Sequence, residues 1–463
     1  MRTAMIDGER ITPLNSRAPV KGGYVLYWMQ QAQRFDFNHA LQYAVQEADR
    51  HDLGVVVAFC LVDDYPGANL RHYAFMMEGL RETVPRFREA GMQCLIVRGR
   101  PEDVIPLLSR DACLVVVDRG YLRHQVLWRT RVAARIECPL VQVESDIVVP
   151  VETASPKAEY AARTIRLKIH RHRERFLRPL ETRVPRRSSL GCVPAGIEEL
   201  PGERSPEALN VDRTAAPVGA FFTGGPTRGR VLFQAFLRDK LGSYVQHHNQ
   251  PQTDDCSCMS MYLHFGQVSP LDLALQALEL DDDLPEDVDA FLEELIVRRE
   301  LAINFVRYTG EYDSFSCLPA WARKTLERHG ADRRPQVYST EELDGASTHD
   351  TYWNAAMTEM KVTGFMHNYM RMYWGKKILE WRRTPQEAWA TLLELNNRYF
   401  LDGRDPSSYA GAGWVFGLHD RPWGERGIYG TVRTMTASGL ERKCDIRAYV
   451  EKVNGSVDRA GLG

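Results

Sequence analysis

No run of about 18 consecutive apolar residues occurs in this chain, and its first residues contain no apolar leader segment, so neither a membrane-spanning helix nor a secretory signal is expected. Its nine cysteines are scattered without a disulfide rhythm, which reads as a reducing, cytoplasmic compartment. Net charge is only −2, so overall charge selects no polyanionic partner. There is no internal repeat. No G-x-x-x-x-G-K-[ST] is present and no G-x-G-x-x-G follows the first apolar run, which removes the usual P-loop and dinucleotide fingerprints.

What the chain does have is length, with 463 residues that are 44% hydrophobic, enough for two or three domains. It also has uneven local charge. Lys157 to Arg187 holds eleven Lys/Arg against three Glu, and Lys361 to Arg383 holds six against one acid. Such stretches are either solvated helix faces or a nucleic-acid footprint.

The first 150 residues alternate between short β-rich runs (24–28, 54–62, 94–97, 113–117, 140–143) and longer stretches of helical period at Asn38–Asp49, Tyr73–Ala90 and Gln125–Ile136. Apolar strands alternating with helices predict a Rossmann-like parallel sheet covered on both faces. Residues 186–228 are rich in Pro, Gly, Ser and Arg and read as a linker. Beyond it β-rich runs vanish, and helices are expected at Val231–Tyr244, Leu271–Leu280, Val288–Tyr308, Ala320–His329, Leu343 onward to Trp381, and Pro385–Asn397. Thr384, Pro385 and Glu387 make a good start signal for the last of these. The layout is thus an α/β domain (1–185), a linker (186–228) and an all-α domain (229–463).

The stretch Gly364–Trp381, GFMHNYMRMYWGKKILEW, concentrates three Met, two Trp, two Tyr and a Phe around a single acid. Helical spacing puts His367, Arg371, Trp374, Ile378 and Trp381 on one face. Core packing is the ordinary reading of such a stripe. Arg371 argues for more, because a buried guanidinium needs an anionic partner and the stretch offers only Glu380. Trp374, Trp381 and the upstream Trp353 are volume, or a path for single electrons.

Residues 348–381 (THDTYWNAAMTEMKVTGFMHNYMRMYWGKKILEW) and 395–414 (LNNRYFLDGRDPSSYAGAGW) resemble the class II cyclobutane pyrimidine dimer photolyases of the photolyase/cryptochrome superfamily. Supporting blocks are 27–41, 148–169, 262–270, 293–308 and 419–435, so the resemblance covers nearly the whole chain outside the linker. It implies an α/β antenna domain, a helical FAD domain, and a monomer acting inside the cell at the nucleoid on UV-damaged DNA. In that family a fully reduced flavin (FADH−) absorbs light and passes one electron to a flipped-out dimer, which splits and returns it.

By the resemblance, Trp374, Trp353 and Trp381 match, in outward order, the tryptophans that re-reduce an oxidised flavin. Asn396 matches the asparagine facing flavin N5, and Arg371 lies beside the ring with the flavin, Asp402 or Asp405 as partner. Tyr244, Ser257, Met259 and Ser260 match residues holding the FAD ribityl and phosphates. Glu294 matches the carboxylate that bonds the dimer's bases, and Tyr369, Met372 and Trp414 match the pocket lining. Arg421, Trp423 and Arg433 resemble residues that enter the hole left in the duplex and clamp phosphates, with Arg442 and Lys443 adding electrostatic grip. A second chromophore, such as a deazaflavin, is the corresponding expectation for the α/β domain.

Three departures stand out: Met261 replaces a usual proline, Cys256 and Cys258 stand where the family is more polar, and Trp414 to Asp420 is one residue short of the family spacing. Cys256 and Cys258 with His247 and His248 match no common zinc spacing, and no metal is expected. Two rivals remain beside dimer repair. One is a cryptochrome-like sensor, which would keep the flavin and tryptophans without Glu294, Tyr369, Met372, Trp414 and Arg433. The other is repair of the (6–4) lesion, which would need a pair of histidines where His367 stands alone.

Overall fold

The computed structural model describes residues 6–197 and 209–461. Six strands form one sheet in the order β1-β6-β5-β2-β3-β4. They are β1 (Ile11–Pro13), β2 (Tyr24–Met29), β3 (Gly54–Leu61), β4 (Gln93–Arg98), β5 (Ala112–Asp118) and β6 (Leu140–Val143). All neighbouring pairs are parallel except β1 with β6. Every residue of β2, β3 and β5 is buried, which is why these segments read as unbroken apolar runs.

Alternate residues serve opposite layers. Val25, Tyr27 and Met29 pack with α1 (His39–Arg50) and α2 (Leu70–Glu89), while Leu26 and Trp28 pack with α3 (Pro101–Leu108) and α4 (Arg123–Arg135). The five sequence-read strands are present. β1 was not anticipated, because three half-exposed residues ending in proline carry no apolar alternation.

The second half is helical, and the two halves share a core. Phe75 of α2, Val148 and the inward face of α5 (Ala162–Phe176) pack with Phe233 of α6 (Pro226–Asp239) and Phe291 of α7 (Pro285–Leu292). Arg71 of α2 reaches across to donate to the carbonyls of Met360, Tyr399 and Ala216. The stretch expected as linker is partly packed: Leu209, Ala215 and Val218 are buried, and α6 starts at Pro226, before the expected boundary at 228. Residues 198–208 of that stretch lie outside the described residues.

Two helical expectations need correcting. The helix read from Leu343 to Trp381 is three pieces: Thr340–Asp344, α9 (Thr351–Thr363) and α10 (Asn368–Trp381). Gly364 ends α9 in the left-handed region (φ 74°), and a Cβ there would meet Leu401 Cγ at 2.9 Å, so the chain turns where only glycine fits. His367 is therefore not on a helix face with Arg371. It caps α10, Nδ1 accepting from the Tyr369 N–H at 3.2 Å. The helix read at Val288–Tyr308 is likewise interrupted: a π-type segment, Glu293–Arg298, joins α7 to α8 (Arg299–Tyr308).

Candidate active site

A cavity of about 920 Å³ opens among α7, α8, α10, α11 (Pro385–Tyr399) and α12 (Pro406–Val415). It sits at the upper end of the ~300–1,000 Å³ usual for ligand pockets. The Gly364 break aims the first turns of α10 at it, so Tyr369, Arg371, Met372 and Trp374 all line its wall.

Arg371 is held from three sides. Its Nη1 and Nη2 donate to Asp402 Oδ1 and Oδ2 at 2.9 and 3.0 Å, and its Nε donates to the Met366 carbonyl at 2.9 Å. Its guanidinium lies 3.9 Å from the Phe400 ring centroid. The partner is thus the aspartate of the DGRDP turn, while Glu380 bonds Lys377 and Tyr429. Asp405 does not join Arg371. It caps α12 through the Ser407 N–H at 2.8 Å and lies 3.3 Å from His264 Nδ1. Burial would raise the Asp405 carboxyl pKa, but the His264 hydrogen bond and charge and the Arg299 charge bring it below the usual range.

Asn396 has a fixed orientation. Asn397 Oδ1 accepts from the Arg404 backbone N–H at 3.1 Å, so the Asn396 atom 3.0 Å from that oxygen must be the amide nitrogen. The same nitrogen donates to Ser408 Oγ at 2.7 Å. Oδ1 is left as the acceptor for whatever N–H the cavity receives.

At the far end Tyr244, Ser257, Met259 and Ser260 line the cavity, together with Cys256 and Cys258. Burial pushes the two thiols up to about 11 and about 12, so both are uncharged at neutral pH and neither repels an anion. Met261, where the family has proline, is buried outside the cavity.

The π-type segment separates two adjacent acids. Glu293 forms a bidentate pair with Arg166 of α5 at 2.9 and 2.7 Å, while Glu294 lines the cavity. The extra residue of a π turn re-aims side chains, and such turns recur at functional sites. Glu294 Oε1 is 3.8 Å from Arg298 Nε, yet crowding by the wall raises its carboxyl pKa.

Cations and indoles alternate along the rim. The Arg433 guanidinium lies 5.5 Å from the Trp414 ring and 4.2 Å from the Trp423 ring, and Arg421 sits 4.8 Å from Trp423. Trp414 and Arg433 line the cavity; Arg421 and Trp423 stand outside it on the exposed rim.

The tryptophans form a contiguous row. Trp374 lines the cavity, and its Nε1 is buried without a partner among the described residues. Trp353 Nε1 donates to the Trp374 carbonyl at 3.0 Å, and the rings of Trp353 and Trp381 meet at 5.4 Å and 67°. All three are buried, so the row leads inward from the cavity wall through the core.

The residues fit an elongated cofactor with a flat head and an anionic tail. Phe365, Phe400 and Trp374 give aromatic walls beside Arg371 and the Asn396 acceptor, and Tyr244, Ser257 and Ser260 bring hydroxyls to the other end.

The DNA photolyase family pattern matches residues 25–186. Along its whole length the chain is similar to a deoxyribodipyrimidine photo-lyase of Methanothermobacter thermautotrophicus, 48% identical over 457 residues, with 98% of this chain and all of that protein covered. The chain belongs to the DNA photolyase family. A deoxyribodipyrimidine photo-lyase of Potorous tridactylus is 37% identical over 436 residues, 93% of this photolyase and 81% of that protein. Among solved structures, a class III photolyase of Agrobacterium tumefaciens shares the fold with a TM-score of 0.67 at 17% identity, covering 96% of this chain and 86% of that one. A Synechocystis cryptochrome does so at 0.68 and 16%, covering 95% and 88%.

Sequence reasoning missed two features of this photolyase. Lys376 is fully buried, its Nζ donating to the Val415 carbonyl and lying 5.2 Å from the Trp414 ring. A lysine in a basic run gives no sign of burial. The second is a small space at the carboxyl ends of β2 and β3. It measures about 70 Å³ and is lined by Trp28, Tyr65, Trp128 and Arg404. Tyr65, His124 and Trp128 pack edge-to-face within 4.7–5.8 Å of one another beside it.

Proposed function

We propose that this photolyase is a class II enzyme that splits cyclobutane pyrimidine dimers in DNA under light, using reduced FAD in the helical half. The observation that carries this reading is the cavity that gathers aromatic walls, an acceptor amide and a half-buried arginine, with Glu294, Tyr369, Met372, Trp414 and Arg433 also lining it. Bound FAD supplies the light-driven one-electron reduction of the lesion. Asn396 Oδ1 and Arg371 would hold the flavin ring, and Tyr244, Ser257, Met259 and Ser260 would hold the ribityl and phosphate end. Asp402 keeps Arg371 in place, and Asp405 fixes the start of α12. Trp374, Trp353 and Trp381 would offer a row of oxidisable rings running from the flavin ring into the core.

The flipped dimer enters between Trp414, Tyr369 and Met372. Glu294, whose carboxyl pKa is raised by desolvation at the cavity wall, hydrogen-bonds the dimer's bases. Arg433 clamps a phosphate, and Arg421 and Trp423 fill the gap left in the duplex. The lone His367 is buried and does not line the cavity, and burial lowers its pKa to about 3, so it is not placed to protonate a (6–4) lesion. The working unit is a monomer whose α/β domain, 1–185, is joined to a helical domain that starts at Pro226, and it acts at the nucleoid.

The deciding experiment is a visible spectrum of the purified protein, then illumination of a dimer-containing oligonucleotide with the chemically reduced protein. A flavin spectrum and light-dependent loss of dimers are expected. Dimers that persist equally in light and dark refute the reading. A deazaflavin antenna is tested by adding one: an absorption band retained through gel filtration establishes it, and a spectrum of FAD alone removes it.

A further inference from the structure

Helix α5 and the loop before it are fastened to the cavity rim at two points. Tyr160 Oη donates to the Asp420 carbonyl at 2.7 Å, and His419 Nδ1 lies 2.9 Å from the Tyr160 carbonyl. These bonds tie α5 to the segment carrying Arg421 and Trp423. One turn into α5, Arg166 grips Glu293, the neighbour of Glu294. Ala162, Ile165, Ile169 and Phe176 face the core.

The opposite face is open. Lys157, Tyr160, Arg163, Leu167 and Arg171 are exposed, and Leu167 is 73% exposed, unusual for a leucine on an amphipathic helix. Lys157, Arg163 and Arg171 have no carboxylate partner among the described residues. The nearby acid Glu159 is buried against Lys168 and Ser155. The cations between Arg163 and Arg171 are matched, Arg166 by Glu293 and Lys168 by Glu159, and farther along Arg175 is matched by Glu9 and Arg178 by Asp7. Arg163 and Arg171, without a carboxylate partner among the described residues, instead share the outward face with the exposed Leu167.

We infer that the outer face of α5 tracks the DNA duplex on one flank of the lesion, with Lys157, Arg163 and Arg171 contacting phosphates of undamaged nucleotides. Arg163 and Arg171 stand two turns apart, about 12 Å along the helix. That spans the axial distance of three to four phosphates at about 3.4 Å each. The α/β half thereby takes part in substrate binding. This inference rests on the dimer-repair reading, since it takes the cavity as the place where the lesion leaves the duplex.

The test is Arg163→Gln/Arg171→Gln, with Lys157→Gln as a separate variant in the loop. Binding of the flavin-loaded proteins to dimer-containing and undamaged duplexes is measured across a salt series. The slope of log K against log salt should become shallower by about 1.8 for the double variant and about 0.9 for Lys157→Gln. The loss should be equal on both duplexes, leaving the preference for damage unchanged. Truncating the duplex on one flank, but not the other, should erase the difference from wild type. An unchanged slope, a loss confined to damaged DNA, or equal effects of both truncations overturns the inference. A wild-type protein with no preference for damage would refute the repair reading instead, so the two failures are distinguishable.

Discussion

Replacing Lys376 by methionine should stabilise the protein in mildly acid solution and cease to do so in base. The ammonium is enclosed between α10 and the end of α12, where it caps the Val415 carbonyl and backs the Trp414 ring. Burial drives its pKa from 10.5 down to about 7; Asp420 opposes the shift and Arg433 adds to it. Because the folded pKa is depressed, folded and unfolded chains are both charged below about pH 7, and the burial cost is present in full. Between about pH 7 and 10.5 the unfolded chain binds the extra proton, so this group's contribution to stability rises with pH. The slope is about 1.4 kcal/mol per pH unit, on the order of 5 kcal/mol across the window. Methionine fills a similar volume without the charge and forfeits a hydrogen bond of about 1.5–3 kcal/mol. Lys376→Met should therefore gain about 2–3 kcal/mol at pH 6.5 and nothing, or a small loss, at pH 9.5. Urea unfolding followed by tryptophan fluorescence at one-unit pH steps reads the difference. Stability curves for wild type and variant that stay parallel from pH 6.5 to 9.5 would show that Lys376 does not titrate in this window, and the placement of its charge would be wrong.

Trp374→Phe should abolish light-driven reduction of oxidised FAD while leaving dimer repair intact in chemically reduced protein; loss of both would mean that Trp374 shapes the cavity rather than feeding it electrons. Asp402→Asn should cost the flavin-free protein about 3 kcal/mol in denaturant unfolding, because Arg371 loses its carboxylate. The cost should shrink once anionic reduced flavin is bound, and an equal cost in both forms would remove Arg371 from the ring. Glu294→Ala should weaken binding of damaged duplex by about tenfold, the worth of a modest hydrogen bond, with flavin content unchanged; undiminished binding would take Glu294 out of the lesion contact.

The parallel sheet was legible because burial on both faces writes β2, β3 and β5 as continuous apolar runs. Their order in the sheet was not, since pairing is decided by crossovers rather than by any single strand. The start of α11 was equally plain: Thr384 accepts from the Glu387 N–H with Pro385 at the first helical position, a bond local in sequence. What escaped notice is non-local or depends on a one-residue change of geometry. Arg371 visibly needed an anion, and the sequence left two acids of the DGRDP turn open; the choice of Asp402, 31 residues away, over Asp405 is made only by the fold. The π turn that turns Glu294 into the cavity and Glu293 out to Arg166 leaves the apolar period almost unchanged. The break at Gly364 was hidden because the flanking residues are apolar and aromatic on both sides, as a continuous buried helix would be. That break carries a functional consequence. An unbroken helix would put His367 beside Arg371 within the helix; the left-handed glycine instead makes His367 the cap that starts α10, and so sets where Arg371, Trp374 and Lys376 point.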